Sequence, residues 1–152
     1  IGKLEKETGI DVAFENAPPR QLGLLERWPR YAGDPDKLDE FLSRRNVNLT
    51  LDVAKAVMAG MDPYQFFKKH HKNIKVLHFH GFNRKQYHTG FKGQDFDWAG
   101  FTSFVKKFNW GGAITLEVFP LHRWLYFDIP HQGEWDKVKE TLRDDFNLLR
   151  RV

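Results

Sequence analysis

Short apolar runs alternating with amphipathic stretches organise this chain. Ile10 to Phe14, Val47 to Asp52, Ile74 to His80 and Ala113 to Phe119 are rich in β-branched and aromatic residues and bounded by Gly, Pro, Asn or Asp, the pattern of strands. Between them, apolar residues recur at helical spacing. Asp34-Pro35 supplies an N-cap and a first-turn proline, with Leu38, Phe41 and Leu42 as the stripe of a helix reaching Arg45. Val53 to Gly60 opens a short helix, and Asp62-Pro63 repeats the start signal ahead of Tyr64 to Lys72. Asp97 precedes a helix carrying Phe101, Phe104, Val105 and Phe108 on one side, and Gly111-Gly112 closes it. Trp135 to Arg151 reads as a terminal amphipathic helix through Trp135, Val138, Leu142, Phe146 and Leu149. Arg20 to Gly33 is a long connection, and Arg123 to Pro130 is aromatic without a clear period.

The order is strand then helix, four times over, with largely apolar strands. That alternation predicts an α/β fold in which four parallel strands are covered by helices. A length of 152 residues suits one domain, residues 1–152, with a substantial core. The chain opens at Leu4 to Gly9 on what reads as the end of a helix, Gly9 being its C-cap. Sequence upstream, or a second chain, is therefore expected to supply what precedes it.

Composition narrows the chemistry. There is no cysteine, which excludes disulfides, thiolate metal sites and thiol nucleophiles and leaves His and carboxylate as the metal-binding types. A net charge of +4 is compatible with anionic substrates such as phosphates. The basic residues are scattered, and nucleic acid is not the expected partner. No apolar run is long enough to span a membrane and no signal peptide is visible, so a cytoplasmic protein is expected.

In parallel α/β sheets, ligands bind at the carboxyl ends of the strands. Here each strand carries a chelating side chain near that end: Glu15, Asp52, His78 and Glu117. Any one of them alone reads as a helix cap or a strand-end hydrogen-bonding residue. Their recurrence at equivalent places in successive units points instead to a shared site. Three carboxylates and one imidazole suit a divalent ion such as Mn²⁺, Mg²⁺, Co²⁺ or Zn²⁺. In Ile74 to His80 the strand period puts Val76, His78 and His80 on one face, so either imidazole is available. In Val47 to Asp52, the same period sets Asn48, Thr50 and Asp52 on a polar face expected to line something wet or chemical. His70-His71, at a helix end rich in lysine, is read as solvated.

These residues resemble the xylose isomerase-like TIM barrels, which include ketose 3-epimerases, sugar isomerases and endonuclease IV. Glu15-Asn16-Ala17-Pro18 is similar to the motif ending the fifth strand of that group, and Leu51-Asp52-Val53-Ala54-Lys55 to that ending the sixth. His78 with Asn83-Arg84 matches the seventh, as in the ketose 3-epimerases, and Leu116-Glu117 the eighth. The resemblance implies half of an eight-unit barrel, its C-terminal half, with Glu15, Asp52, His78 and Glu117 as metal ligands. A full barrel of this kind needs about 250 residues, so a missing N-terminal half or a second copy is the expected partner. The resemblance departs from the group at Lys55, where a histidine is usual, and at Gln86, where endonuclease IV carries an aspartate.

The implied function is a metal-dependent isomerase or epimerase acting on a sugar or sugar phosphate. Glu15 and Glu117 would be its catalytic acid/base pair, and His80, Arg84, His88 and Lys55 its substrate-binding groups. The alternatives are an endonuclease IV-like phosphoesterase, which His88 favours, and a non-catalytic remnant of the barrel, which Lys55 favours.

Overall fold

Aspartate starts four of the helices. In the computed structural model, which describes residues 2–17, 33–82, 88–119 and 132–150, Asp34, Asp52, Asp62 and Asp97 each accept a hydrogen bond from a backbone N–H of the turn that follows. Such caps satisfy donors that the helix itself leaves orphaned. The elements are α1 (Gly2–Thr8), β1 (Ala13–Glu15), α2 (Pro35–Arg44), β2 (Asn48–Asp52), α3 (Val53–Met58), α4 (Pro63–His70), β3 (Ile74–Phe79), α5 (Trp98–Lys106), β4 (Ala113–Leu116) and α6 (Gln132–Arg150). Gly9 ends α1 at φ 67°, with its N–H donating to Glu5 O, as a C-cap glycine does. The irregular connection from Arg20, the Asn83-Arg84 pair, Gln86 and the aromatic stretch from Arg123 lie outside the described residues.

The strands form one four-stranded sheet in the order β1-β2-β3-β4, and β1–β2 and β2–β3 pair in parallel. This is the expected α/β alternation. The chain divides into two compact units, Ile1–His78 with Trp110–Ile114, and Phe79–Asn109 with Thr115–Val152.

In the first unit, Leu49 and Leu51 of β2 and Ile74 and Leu77 of β3 are all buried, together with Phe67 from α4. Ile74 and Leu77 are three apart, so a regular strand would place them on opposite faces. A register shift between Leu49 and Thr50 resolves this, pairing Leu49 with Ile74 but Leu51 with Leu77. Lys75 is left outside, exposed. The same shift pairs Thr50 with Val76 and Asp52 with His78, so the polar ends of β2 and β3 share a face.

Three expectations need correction here. Ile10 to Phe14 is not a buried strand: β1 is limited to Ala13–Glu15, and Phe14 remains exposed while making an edge-to-face contact with Phe41. Among the described residues it lies at the end of the sheet order, beside β2. Thr50 and Asp52 are buried, which removes the wet reading of that face and leaves the chemical one. His70 is also buried, whereas the run of cations suggested a solvated end. It lies one turn beyond Phe66, against whose ring it packs at 4.7 Å, and its Nε2 meets Asp39 Oδ1 at 2.7 Å.

The second unit is built around aromatics. Phe79 packs against Phe91, Trp98 and Phe101, and Phe91 stacks on Trp98 at 4.6 Å. The loop after β3 returns along itself through a bridge between Gly81 and Thr89. Beyond β4, which stops at Leu116, Glu117 N still donates to Phe79 O of β3, and Phe119 N donates to His88 O in the loop that follows β3. In α6, Val138 and Asp145 are buried while Trp135 and Phe146 are exposed, a face rotated from the apolar stripe. Asp145 turns inward because its Oδ1 accepts the N–H of Phe91 at 3.0 Å.

Candidate metal centre

Glu15 and Asp52 are the last residues of β1 and β2, and His78 is the last but one of β3. Pairing of Glu15 with Thr50 and of Asp52 with His78 sends all three side chains to the same face of the sheet. Their ligand atoms lie within 4.8 Å of one another. Donors bound to a common ion at about 2.0–2.2 Å are separated by roughly 3–4.5 Å, so the three residues fit a divalent cation with small side-chain adjustments. Two carboxylates and an imidazole are also the right donor types for a hard or borderline ion.

The scaffold under these groups is the side-chain amide of Asn16. Its Nδ2 donates to Asp52 O at 2.9 Å, and its Oδ1 accepts from Asp52 N at 2.7 Å. The amide thus continues the β1–β2 ladder past the last residue of β1, fixing Glu15 and Asp52 next to each other. Asn16 is buried and was not among the expected site residues. The Glu-Asn pair ahead of Pro18-Pro19 carried the signal: an amide at the end of a strand that prolines terminate has lost its backbone partners and can supply side-chain ones.

Asp52 does two things at once. Its Oδ1 caps α3 through Lys55 N at 2.9 Å, and its Oδ2 meets Lys55 Nζ at 2.8 Å. Lys55 Nζ also contacts Glu15 Oε1 at 2.6 Å, and that oxygen lies 3.1 Å from His78 Nδ1. Lys55 is therefore largely covered, with a side chain 16% exposed. Burial works against the charge of its ammonium, but the hydrogen bonds and negative charges of Asp52 and Glu15 outweigh it and hold its pKa above the ordinary lysine value.

In the second unit, Glu117 follows β4 directly and its Oε2 lies 3.5 Å from His88 Nδ1. His88 adopts φ 57°, a left-handed conformation uncommon for a residue with a side chain, and its ring lies 4.2 Å from that of the fully buried His80. His80 Nδ1 lies 3.0 Å from Gly81 O and 3.2 Å from His88 N, donating to the first in one tautomer and accepting from the second in the other. Ligand atoms of His80, His88 and Glu117 also approach within 4.8 Å of one another. Of the expected site residues, then, Glu15, Asp52, His78 and Lys55 come together in the first unit and Glu117, His80 and His88 in the second. Arg84 lies outside the described residues.

Two solved structures share this fold. One, titled a D-tagatose 3-epimerase-like protein, superposes with a TM-score of 0.63 at 18% identity, covering 98% of this chain and 51% of its own. The other, a sugar phosphate isomerase/epimerase from Parabacteroides distasonis ATCC 8503, gives a TM-score of 0.59 at 19% identity, covering 94% of this chain and 49% of its own. The chain thus spans about half the length of each. No curated protein matches it. The family described as "Xylose isomerase-like TIM barrel" matches residues 1–150. The chain belongs to the xylose isomerase-like TIM barrel family.

Proposed function

We propose that this chain carries the metal-binding half of an isomerase or epimerase acting on a sugar or sugar phosphate. The observation that supports this reading best is the convergence of Glu15, Asp52 and His78 at successive strand ends, with ligand atoms within 4.8 Å of one another. In this reading the three residues hold a divalent ion, and Glu117, which follows β4 as the family pattern expects, is the fourth ligand. A bound Mn²⁺, Mg²⁺, Co²⁺ or Zn²⁺ supplies a Lewis acid that polarises a carbonyl and acidifies the neighbouring C–H. The chain's own residues do the rest. Glu15 and Glu117 take the proton from carbon and return it, each being a carboxylate suited to general base and then general acid work. His80, held by a backbone hydrogen bond at Nδ1, orients substrate hydroxyls with His88 and Arg84. Lys55 adds a positive charge suited to an oxyanion or phosphate. The two structural neighbours, one named for a D-tagatose 3-epimerase-like protein and the other for a sugar phosphate isomerase/epimerase, favour sugar chemistry over other uses of the fold.

Incubation of the protein with a divalent ion and a ketose or ketose phosphate in D₂O tests this by NMR. The expected result is loss of the proton signal on the carbon next to the carbonyl, and its retention with Glu117→Gln. Exchange unaffected by both Glu15→Gln and Glu117→Gln would contradict these assignments. A phosphoesterase reading has the His80, His88 and Glu117 group in its favour. Cleavage of a duplex containing an abasic site, with no sugar exchange, would select it.

A further inference from the structure

The oxygens that a cation needs at the first-unit site already have a cation. Lys55 Nζ meets Glu15 Oε1 at 2.6 Å and Asp52 Oδ2 at 2.8 Å, while Asp52 Oδ1 holds the backbone N–H of the same lysine at 2.9 Å. The ammonium is therefore tethered by one turn of α3 to the very carboxylate it neutralises, and it cannot diffuse away as a solvent cation would. Formally, two carboxylates and one ammonium leave a charge of −1 with His78 neutral, where without the lysine it would be −2. A divalent ion entering between Glu15, Asp52 and His78 meets a fixed positive charge in contact with two of its three donors.

We propose that Lys55 is a built-in competitor for the metal, so that an ion enters this site only by displacing the ammonium from Glu15 and Asp52. This rests on the cation reading of the same strand ends and adds a device that sets how tightly, and which, ions are held. Like charges in contact within a partly buried site oppose each other strongly, so the lysine lowers affinity for every divalent ion. The ions that survive the competition are those with the strongest bonds to imidazole and carboxylate, with Zn²⁺ and Co²⁺ ahead of Mg²⁺ and Mn²⁺. Once displaced, the ammonium is still anchored at the first turn of α3, beside the ion it has made way for.

The test is calorimetric titration of Zn²⁺ and Mn²⁺ into metal-stripped protein, comparing wild type with Lys55→Met and Lys55→Gln. The first variant keeps the apolar stem and the second a neutral polar end, so one of them is expected to retain the fold by circular dichroism. Both remove the charge, and metal binding tighter by roughly ten- to a hundredfold is expected. In wild type, the ¹⁵Nζ resonance of Lys55 is expected to shift or broaden as Zn²⁺ is added, which needs no substitution at all. Equal or weaker binding in a folded variant, or a Lys55 signal indifferent to a bound ion, overturns this proposal alone. Absence of binding in wild type and both variants overturns it together with the metal reading above.

Discussion

Asn16 ties two of the candidate ligands to one another without being a ligand itself. Its amide makes both hydrogen bonds that a further residue of β1 would have made to Asp52. Asn16→Ala takes a hydrogen-bond partner from both the backbone N–H and the C=O of the fully buried Asp52 and is expected to cost about 1–3 kcal/mol. Urea unfolding measures this, and a loss below about 0.5 kcal/mol would mean that water or backbone replaces the amide. Asp145 makes a second residue-scale prediction. Burial pushes its carboxyl above the usual range and the charge of Asp144 adds to this, while the hydrogen bond from Phe91 N works the other way. A raised carboxylate pKa means that the folded chain holds the proton more tightly than the unfolded one. Its contribution to stability is complete below the unfolded value, about 3.9, and is lost as pH rises through the folded value. Asp145→Asn keeps an oxygen for Phe91 N but cannot ionise. The stability of the variant relative to wild type should therefore increase between acid and neutral pH, and parallel pH profiles would contradict this.

At the level of elements, capping was readable and facing was not. Asp34-Pro35, Asp62-Pro63 and Asp97 predicted helix starts because a carboxylate followed by helix-compatible residues has one good local use, and the structure places each where expected. The inward face of α6 depended on Phe91, more than fifty residues earlier, offering its N–H to Asp145. Local periodicity cannot see such a partner, and it nominated Trp135 and Phe146, which are exposed. The end of α4 went astray for the same reason. Lys68, Lys69 and Lys72 hid the fact that Asp39 on α2 waits for His70. The hydrogen bond from Lys69 holds Asp39 below the usual carboxylate pKa against the opposing effect of burial, with the hydrogen bond of His70 adding to it. Asp39→Ala leaves His70 buried without this partner and is expected to destabilise α4's packing by about 1–3 kcal/mol, read as a lower urea midpoint; an unchanged midpoint would contradict the pairing. The turn before β4 is tight as well. A Cβ at Gly112 would fall within 2.5 Å of Lys75 O and closer still to the Trp110 ring. Gly112→Ala should therefore lower stability by about 1–3 kcal/mol, and a neutral result would show that the Trp110 ring and the backbone move aside together.

For the whole molecule, the repeating strand-helix order and the chelating residue at each strand end were legible because they are periodic in the sequence. The parallel sheet follows from them, as does membership of the xylose isomerase-like family over residues 1–150. What was not legible is how the strand ends are neutralised. Lys55 looked like a departure from the family pattern, and only the fold shows its ammonium between Glu15 and Asp52. Among the described residues no helix is long and apolar enough to cross a membrane. The two structural neighbours are about twice the length of this chain. The claim that this chain contributes the ion site is separable from catalysis and is the central one. Elemental analysis of protein stripped of metal, incubated with Co²⁺ or Zn²⁺ and freed of excess ion measures it directly. One ion per chain in wild type, and none in an Asp52→Asn, His78→Gln double variant of unchanged circular dichroism, is the predicted result; wild-type protein that retains no ion, or a double variant that retains as much as wild type, would contradict it.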